Sequence, residues 1–264
     1  MEAIASTFVA SGTNIWIIAL KELKTYFASP MAYVVAAAFL AITGFFFVAS
    51  VSDAFSEASI RGFSAGAIFF MIFLSPALTM RLLAEEQKMG TLELLLTSPV
   101  RETEIVLGKF IAAFVMLAIM LVLSLYFVLV LFLFGVPDTG PLYTGYLGMI
   151  LYGSTTLAVG LAASAITSNQ LVALVLGAGT LTGLTLVDFI AERVSGTPAE
   201  ILNGLQLGSS FQTFDVSNFA VAQSGHFADF SRGIINVSDI AYYLGMTSVF
   251  LFLAIMLLAS RRWR

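Results

Sequence analysis

The sequence of 264 residues has no cysteine, a single histidine and few charged side chains. Without cysteine the chain has no disulfide, no thiolate metal ligand and no thiol nucleophile. One histidine alone cannot build a closed zinc site, and we predict that this chain binds neither a metal nor a cofactor. Charged residues make up 11% of the sequence and the net charge is −4, so we also predict no nucleic-acid partner.

Apolar residues, in contrast, are in large excess. They make up 59% of the chain, and the mean hydropathy is +0.98. A soluble domain of this size cannot cover so much apolar surface, and long unbroken apolar runs indicate that lipid is the solvent. The first twelve residues contain Glu2, lack a basic start and have no extended apolar run, so we expect no cleavable signal peptide.

Six apolar runs are long enough to span a bilayer, for which about 20 residues must cross roughly 30 Å of hydrocarbon. They cover residues 31–51, 62–80, 110–134, 142–166, 170–187 and 240–259. We therefore predict an all-α integral membrane protein with six transmembrane helices, folded as a single transmembrane domain over residues 1–264.

The distribution of lysine and arginine predicts the orientation of these spans. With the N-terminus in the cytoplasm, nine basic residues lie on the inner side and three on the outer side. This arrangement satisfies the positive-inside rule, and the opposite topology would invert it. Both termini are therefore predicted to be cytoplasmic.

The segment before the first span has its own helical pattern over residues 13–29. Its apolar side chains recur at helical spacing; they are Trp16, Leu20, Leu23 and Phe27. The Ser29-Pro30 pair then predicts a break before the first span. We predict an amphipathic elbow helix that lies in the membrane interface, with an ordinary packed helix as the alternative.

The loop between the second and third spans carries a second short helical signal. Gly90 predicts the end of the helix that continues from the second span. Gly90 or Thr91 can cap a new helix with Glu93 in its first turn, and Pro99 ends it. Because its leucines make this helix almost wholly apolar, it needs cover, which a groove on a partner protein would supply. The alternative is a solvated linker whose leucines dip back into the bilayer interface.

A set of residues in and around this loop resembles a known family signature. The matching residues are Arg81, Ala84, Glu85, Glu86, Gly90, Thr91, Glu93, Leu95, Ser98, Pro99, Glu104, Gly108 and Lys109. Further matches lie at residues 21–23, 26–27, 29–31, 227, 230–235, 242–244 and 262–263. The combination resembles ABC-2 type transporter permeases, closest to their gliding-motility (GldF-like) branch with its NosY-like relatives.

The resemblance implies a division of labour between subunits. It implies that residues 84–103 form a coupling loop on a separate ATPase subunit and that residues 13–29 form the elbow helix. The ATPase-coupling residues that it implies are Glu85, Glu86, Gly90, Thr91, Glu93, Leu95 and Pro99. It further implies an exporter in the inner (cytoplasmic) membrane, with a second permease half as homodimer or heterodimer. ATP and Mg²⁺ would bind the ATPase, and an accessory subunit with a periplasmic domain can accompany the complex.

Motifs that the sequence lacks narrow the function further. No G-x-x-x-x-G-K-[ST] motif occurs, so ATP must bind another chain if it drives this one. The spans hold no lysine, arginine, aspartate, glutamate or histidine well inside, which argues against an ion-coupled carrier. An intramembrane hydrolase would need Ser154 or Ser164 with His226, which lies far away in sequence, and we predict no enzyme. A non-transporting scaffold or mechanotransmitting subunit of an ABC complex stays open as an alternative, and no residue pattern indicates a substrate.

Small residues in two spans and a long loop complete the predictions. In the fourth span, Gly160 and Ser164 are four residues apart, which favours packing within the chain over a dimer seam. For the small and hydroxyl residues of the fifth span we favour packing over the lining of a polar path. The loop over residues 188–239 is predicted to form a helical outer hairpin, with helical pieces near residues 198–205 and 216–232.

Overall fold

The fold is described from a computed structural model. It describes residues 2–51, 60–92, 100–187, 191, 193, 204–208, 214–215, 220–221 and 225–261, with the side chains of residues 2–11, 214–215 and 220–221 left aside. Almost all of these residues are helical. The helices are α1 (Glu2–Ala28), α2 (Pro30–Val51), α3 (Arg61–Met89), α4 (Glu102–Phe134), α5 (Thr139–Ile166), α6 (Gln170–Thr185), α7 (Ala228–Arg232) and α8 (Val237–Arg261), with a 3-10 turn at Gly225–Phe227.

Five of these helices are long and apolar enough to cross a membrane, namely α2, α3, α4, α5 and α8. They overlap the first, second, third, fourth and sixth predicted spans. The fifth predicted span corresponds to α6, which has 16 residues. At 1.5 Å per residue this helix is about 24 Å long, somewhat shorter than the hydrocarbon layer. The described part of the chain is therefore that of a mainly helical membrane protein, with five apolar helices long enough to span the bilayer and a shorter sixth one.

Two helix boundaries lie where the sequence predicts them. Ser29 is the single non-helical residue between α1 and α2, because the residue before a proline avoids the helical conformation. At the other boundary, α3 ends at Met89, and Gly90 has φ 70° with its N–H donating to the carbonyl of Gln87. This left-handed conformation is open to glycine without steric cost.

Helix α5 is the centre of the bundle. In the 18-residue apolar stretch of α5, 89% of the residues are buried. The helix contacts α3, α4, α6, α7 and α8. Gly160 allows the close approach of α3, because a Cβ there would overlap the Thr79 hydroxyl and stand 3.1 Å from the Pro76 backbone. The small residues of this span therefore pack within the chain, as predicted.

The outer surface of the bundle is apolar, as expected of a protein surrounded by lipid. On α4, large side chains one helical turn apart are 63%, 66%, 55% and 70% exposed; they are Val122, Tyr126, Leu129 and Leu133. The opposite stripe of the same helix, which includes Leu117 and Met120, is buried. Since this pattern would be costly in water, it fits a lipid-facing helix.

Helix α6 has two faces of different character. Gly177 packs against Pro76 of α3, with its Cβ position 3.0 Å from the proline ring, and Thr185 is buried. Gly179 and Gly183 instead face open space, and Thr180 donates back to the carbonyl of Leu176. Packing within the chain thus accounts for one face of α6 and leaves the other exposed.

The segment before α8 differs in part from the predicted helical hairpin. Phe214–Asp215 and Ala220–Val221 form a two-residue antiparallel ladder, so residues 220–221 are a strand and not a helix. Aromatic and β-branched residues favour extended backbone, and the ladder pairs backbone groups that would otherwise lack partners. The helical part begins at Gly225 and ends at Arg232. The other expected piece, at residues 198–205, lies almost wholly outside the described residues.

Helix ends define the two ends of the bundle, which we name the charged end and the opposite end. The charged end comprises the ends of helices at Ala28, Pro30, Met89, Glu102, Ile166, Gln170 and Arg261. The opposite end comprises Val51, Arg61, Phe134, Thr139, Thr185 and Val237 together with the Gly225–Phe227 turn and α7.

Candidate coupling site at the charged end

The predicted coupling loop is described on both of its flanks. Glu85 and Glu86 lie in the last two turns of α3, and Gly90 and Thr91 follow its end. Three of the predicted coupling residues, Glu93, Leu95 and Pro99, lie outside the described residues. The site below is therefore built from the two helices that flank residues 93–99 and from their neighbours.

A buried lysine joins three helices next to this loop. The Nζ atom of Lys109, two turns into α4, lies 2.8 Å from Oε1 of Glu86 on α3 and 2.9 Å from Oε1 of Glu22 on α1. The Lys109 side chain is 1% exposed, and the carboxylates are 15% and 12% exposed. Lys21 lies 3.9 Å from both carboxylates but is 68% exposed. We call Lys109, Glu22 and Glu86 the Lys109 cluster.

Burial makes these ion pairs mutually dependent. Removing a lysine ammonium from water is costly unless carboxylates take over its hydration. Here one ammonium serves two carboxylates, which would repel each other without it. The second oxygen of Glu86, Oε2, is buried and has no hydrogen-bond partner, so the Lys109 contact is the main compensation for this acid.

A second polar contact ties α1 to the first turn of α4. The Glu104 carboxylate accepts hydrogen bonds from the backbone N–H of Arg101 at 3.2 Å and from the Asn14 side chain at 3.1 Å. The first bond caps the N-terminus of α4, where a carboxylate is favoured. Next to it, Gly108 lets the helices touch, because a Cβ there would meet Ile18 at 2.8 Å. Helix α1 is therefore packed firmly against the start of α4.

The end of α1 is also tied to α3. The Tyr26 hydroxyl donates to the carbonyl of Leu78 at 2.7 Å, and burial raises the pKa of this phenol above its usual value. Arg81 lies over the Tyr26 ring, 5.3 Å from its centre, and donates to the Ser29 hydroxyl at 3.0 Å. The break between α1 and α2 is thus fixed to the helix that leads into the loop.

Helix α5 holds the same end of α3 from the other side. The Ser164 hydroxyl donates to the carbonyl of Met80 at 2.9 Å and accepts from the N–H of Ala84 at 3.0 Å. In return, Gln87 donates to the carbonyls of Ser164 and Ala165. These carbonyls belong to the last turn of α5, where backbone acceptors lack partners within the helix.

Neighbouring acids at the end of α3 have different environments. Glu86 belongs to the Lys109 cluster, whereas Glu85 is half-buried and makes no hydrogen bond or ion pair with the described residues. Among the described residues, Glu85 is therefore the unpaired acid of the two. Both acids were predicted from the sequence as coupling residues, and the structure shows that only Glu86 is in an ion pair with Lys109.

The predicted elbow residues lie on one side of α1. Trp16, Leu20 and Phe27 are 57%, 38% and 43% exposed, and Leu23 is half-buried. On the other side of the helix, Ala19 and Tyr26 are buried against the bundle. Helix α1 thus presents an apolar outer stripe.

The Lys109 cluster was not predicted from the sequence. Lys109 was named there only among the residues of the family signature, whereas the structure buries its side chain between α4, α1 and α3. One signal was available: Lys109 follows Gly108 directly and precedes an apolar run of two dozen residues, and a lone cation at such a position needs a partner. The partner Glu22 on a distant helix could not be read from spacing.

The opposite end holds the only histidine of the chain. His226 Nδ1 lies 2.7 Å from Asp239 Oδ1, and its ring stacks on Tyr242 at 4.0 Å. The serines considered for catalysis are engaged elsewhere, Ser154 with Thr247 of α8 and Ser164 with α3. Over the described ranges, no group of three histidine or acidic residues is placed to hold a metal ion.

Comparison with protein families gives a single result. Residues 31–263 match the family model described as ABC-2 family transporter protein. The match begins at the start of α2 and runs past the end of α8, so it covers all the described helices except α1. A search of curated proteins found no match.

Proposed function

Because this chain belongs to the ABC-2 family of transporter proteins, we propose that it is the membrane-spanning permease of an ATP-driven exporter whose charged end docks an ATPase subunit. Permeases of this family are typically non-catalytic membrane subunits that work with an ATPase and a second permease. The chain is thus a membrane permease, and the proposal concerns its coupling to ATP hydrolysis.

The observation that carries the proposal is that both helices flanking residues 93–99 are anchored to their neighbours: α3 at its end and α4 at its start. The end of α3 is held by α1 through Glu86, Tyr26 and Arg81 and by α5 through Ser164. The start of α4 is held by α1 through Lys109 and Glu104. A short apolar segment between two anchored helices can transmit a displacement, whereas a segment on mobile helices would absorb it.

The proposed mechanism follows from this geometry. When two ATPase subunits close on ATP, each displaces the coupling loop of the permease bound to it. In this chain the displacement passes from the loop to α3 and α4. Since α3 packs closely on α5 and α6, its movement reaches the centre of the bundle. Glu85, which is unpaired among the described residues, is available to a basic side chain of the ATPase. Mg²⁺ and ATP belong to that partner.

The proposal places the charged end in the cytoplasm and the chain in the inner membrane. It assigns α6 as the fifth of six spans, with its exposed Gly179, Thr180 and Gly183 toward a second permease half, because small residues allow close helix contact. It assigns the apolar stripe of α1 to the membrane interface, as an elbow helix. Within the family, the loop signature favours the gliding-motility (GldF-like) and NosY-like branch.

Co-purification tests the docking. The tagged chain is isolated with its candidate ATPase, and wild type is compared with a Gly90→Pro, Glu93→Lys variant whose membrane insertion is verified. We expect the ATPase to accompany wild type and to be lost from the variant. Ile235→Lys, which adds positive charge at the exposed opposite end, serves as control and should retain the ATPase. Equal recovery with all three chains would refute the coupling role.

Chemical labelling tests the orientation. Because the chain has no cysteine, single cysteines at Lys88 and Ile235, both exposed, report on one end each. In intact cells a membrane-impermeant maleimide should label Ile235→Cys only, and Lys88→Cys should react after permeabilisation. Labelling of Lys88→Cys in intact cells would reverse the proposed topology.

A further inference from the structure

We propose that the Lys109 cluster joins α1 and the two helices that flank the loop into one moving body, so that a displacement of the loop also moves the elbow helix. This proposal rests on the proposed function, since it concerns how a movement that starts at the ATPase spreads. It assigns to Lys109, Glu22 and Glu86 a positioning role and no contact with ATP or substrate.

The three helices pack against one another unequally. Helix α1 packs along α4, with Gly108 against Ile18. Helix α3 in contrast makes few close backbone contacts with α4, although the two flank the same loop. The 2.8 Å contact between Lys109 and Glu86 is therefore a direct tie between two helices that otherwise touch sparsely.

The chemistry of the tie fixes relative position more strictly than apolar packing would. An ammonium donates to each carboxylate along a preferred direction, and a charge-assisted hydrogen bond at 2.8–2.9 Å loses strength when either helix slides. Apolar side chains of similar volume would fill the space without this restriction. Buried charges can thereby specify one register, as buried polar groups do in helical assemblies.

The three residues of the Lys109 cluster lie close to the helix ends beside the loop. Glu86 lies one turn before the end of α3, and Lys109 lies two turns after the start of α4. Glu22 lies in the last two turns of α1, just before the Ser29 break that leads into α2. A push on residues 93–99 therefore reaches α1 and α2 together with α3 and α4, and the elbow helix takes part in the movement instead of serving as a passive anchor.

Spin-label distances in the intact complex test this inference. Nitroxides on Lys24→Cys and Met89→Cys, both exposed, measure the distance between α1 and the end of α3 with the ATPase nucleotide-free and after trapping with ADP and vanadate. Isolation of the wild-type complex establishes the proposed function independently of these distances. For wild type we expect one distance that is the same in both states.

The decisive variant neutralises the whole cluster by Lys109→Met, Glu22→Gln and Glu86→Gln. Because it leaves no unpaired buried charge, it should fold. We expect the neutral variant to retain the ATPase but to show a second distance population in the trapped state. The control Lys88→Met, which alters an exposed lysine at the end of α3, should show the single wild-type distance. A single unchanged distance in the neutral variant, or two distances in wild type, would overturn the proposal. Loss of the ATPase from the neutral variant would also overturn it, since the cluster would then serve docking.

Discussion

The two ends of the bundle are held together by different kinds of contact. At the charged end, Lys109, Glu22 and Glu86 bring ionised groups of three helices into one buried site. At the opposite end, the main ties are neutral: the hydroxyls of Thr144 and Tyr243 donate to the carbonyls of Phe230 and Leu207 at 2.6 and 2.9 Å. Among the described residues of this end, Arg61 donates to the carbonyl of Ser231 at 3.4 Å, and the pair of His226 with Asp239 joins residues only 13 apart in sequence.

This difference shows what each end can tolerate. A neutral hydrogen bond contributes about 1 kcal/mol, and its loss can be absorbed by neighbours. A buried ion cluster fails as a whole when one member is removed, because the remaining charges stay buried without compensation. The charged end therefore tolerates the loss of a single group less well, and under the proposed function it is the end that receives a displacement from the ATPase.

The largest expected effect comes from breaking the Lys109 cluster on one side. Lys109→Met leaves the carboxylates of Glu22 and Glu86 buried and facing each other. We expect the free energy of unfolding to fall by about 3–5 kcal/mol, measured by SDS titration followed by circular dichroism. Lys88→Met, at an exposed lysine of the same end, should change it by less than about 0.5 kcal/mol. Equal effects of the two substitutions would contradict the comparison.

Close aromatic packing is a second kind of neutral contact at the opposite end. A Cβ on Gly148 would stand 2.7 Å from the Phe227 ring and 2.9 Å from Phe230 Cβ. Gly148→Ala should therefore destabilise the protein by about 1–3 kcal/mol, in the same titration. The matched control is Gly179→Ala, whose Cβ meets nothing within 4 Å and which should be neutral or slightly stabilising. Equal changes in the free energy of unfolding for the two variants would contradict tight packing around Gly148.

The His226–Asp239 pair tests whether contacts of the opposite end can be replaced. His226→Ala removes a partner of the buried Asp239 carboxylate, and we expect a loss of about 1–3 kcal/mol. Replacing both residues, as His226→Phe with Asp239→Leu, should recover most of that loss because no polar atom is left unpaired. No recovery in the double variant would show that this end also depends on a specific polar pair.

The smallest effect is expected for the link between α5 and α3. Ser164→Ala removes a hydroxyl that bonds the backbone of α3 in two directions. Side-chain hydrogen bonds between membrane helices contribute about 0.6 kcal/mol on average, and we expect a loss of that order. Ser260→Ala, at an exposed serine that bonds only within its own helix, should be silent. If Ser164→Ala lowered the free energy of unfolding as much as Lys109→Met, the contact between α5 and α3 would matter as much as the Lys109 cluster, which would contradict the comparison.

Sequence reasoning succeeded where one local rule decides the structure. Proline and glycine geometry predicted the break at Ser29 and the end of α3 at Gly90, and hydropathy predicted the apolar helices. It failed where the partner lies far along the chain. Lys109 and Glu22 are 87 residues apart, and no periodicity links them. The ladder at Ala220–Val221 was missed because apolar residues in a loop do not distinguish strand from helix.

The most direct test of the account asks whether an ATPase covers the charged end. Single cysteines at Thr91, just after Gly90, and at Ile235 of the opposite end, both exposed, are labelled with maleimide in detergent, with and without the candidate ATPase. We predict that the ATPase slows labelling of Thr91→Cys at least tenfold and leaves Ile235→Cys unchanged, a factor that corresponds to about 1.4 kcal/mol of protection. Equal labelling rates at Thr91→Cys with and without the ATPase would contradict the account.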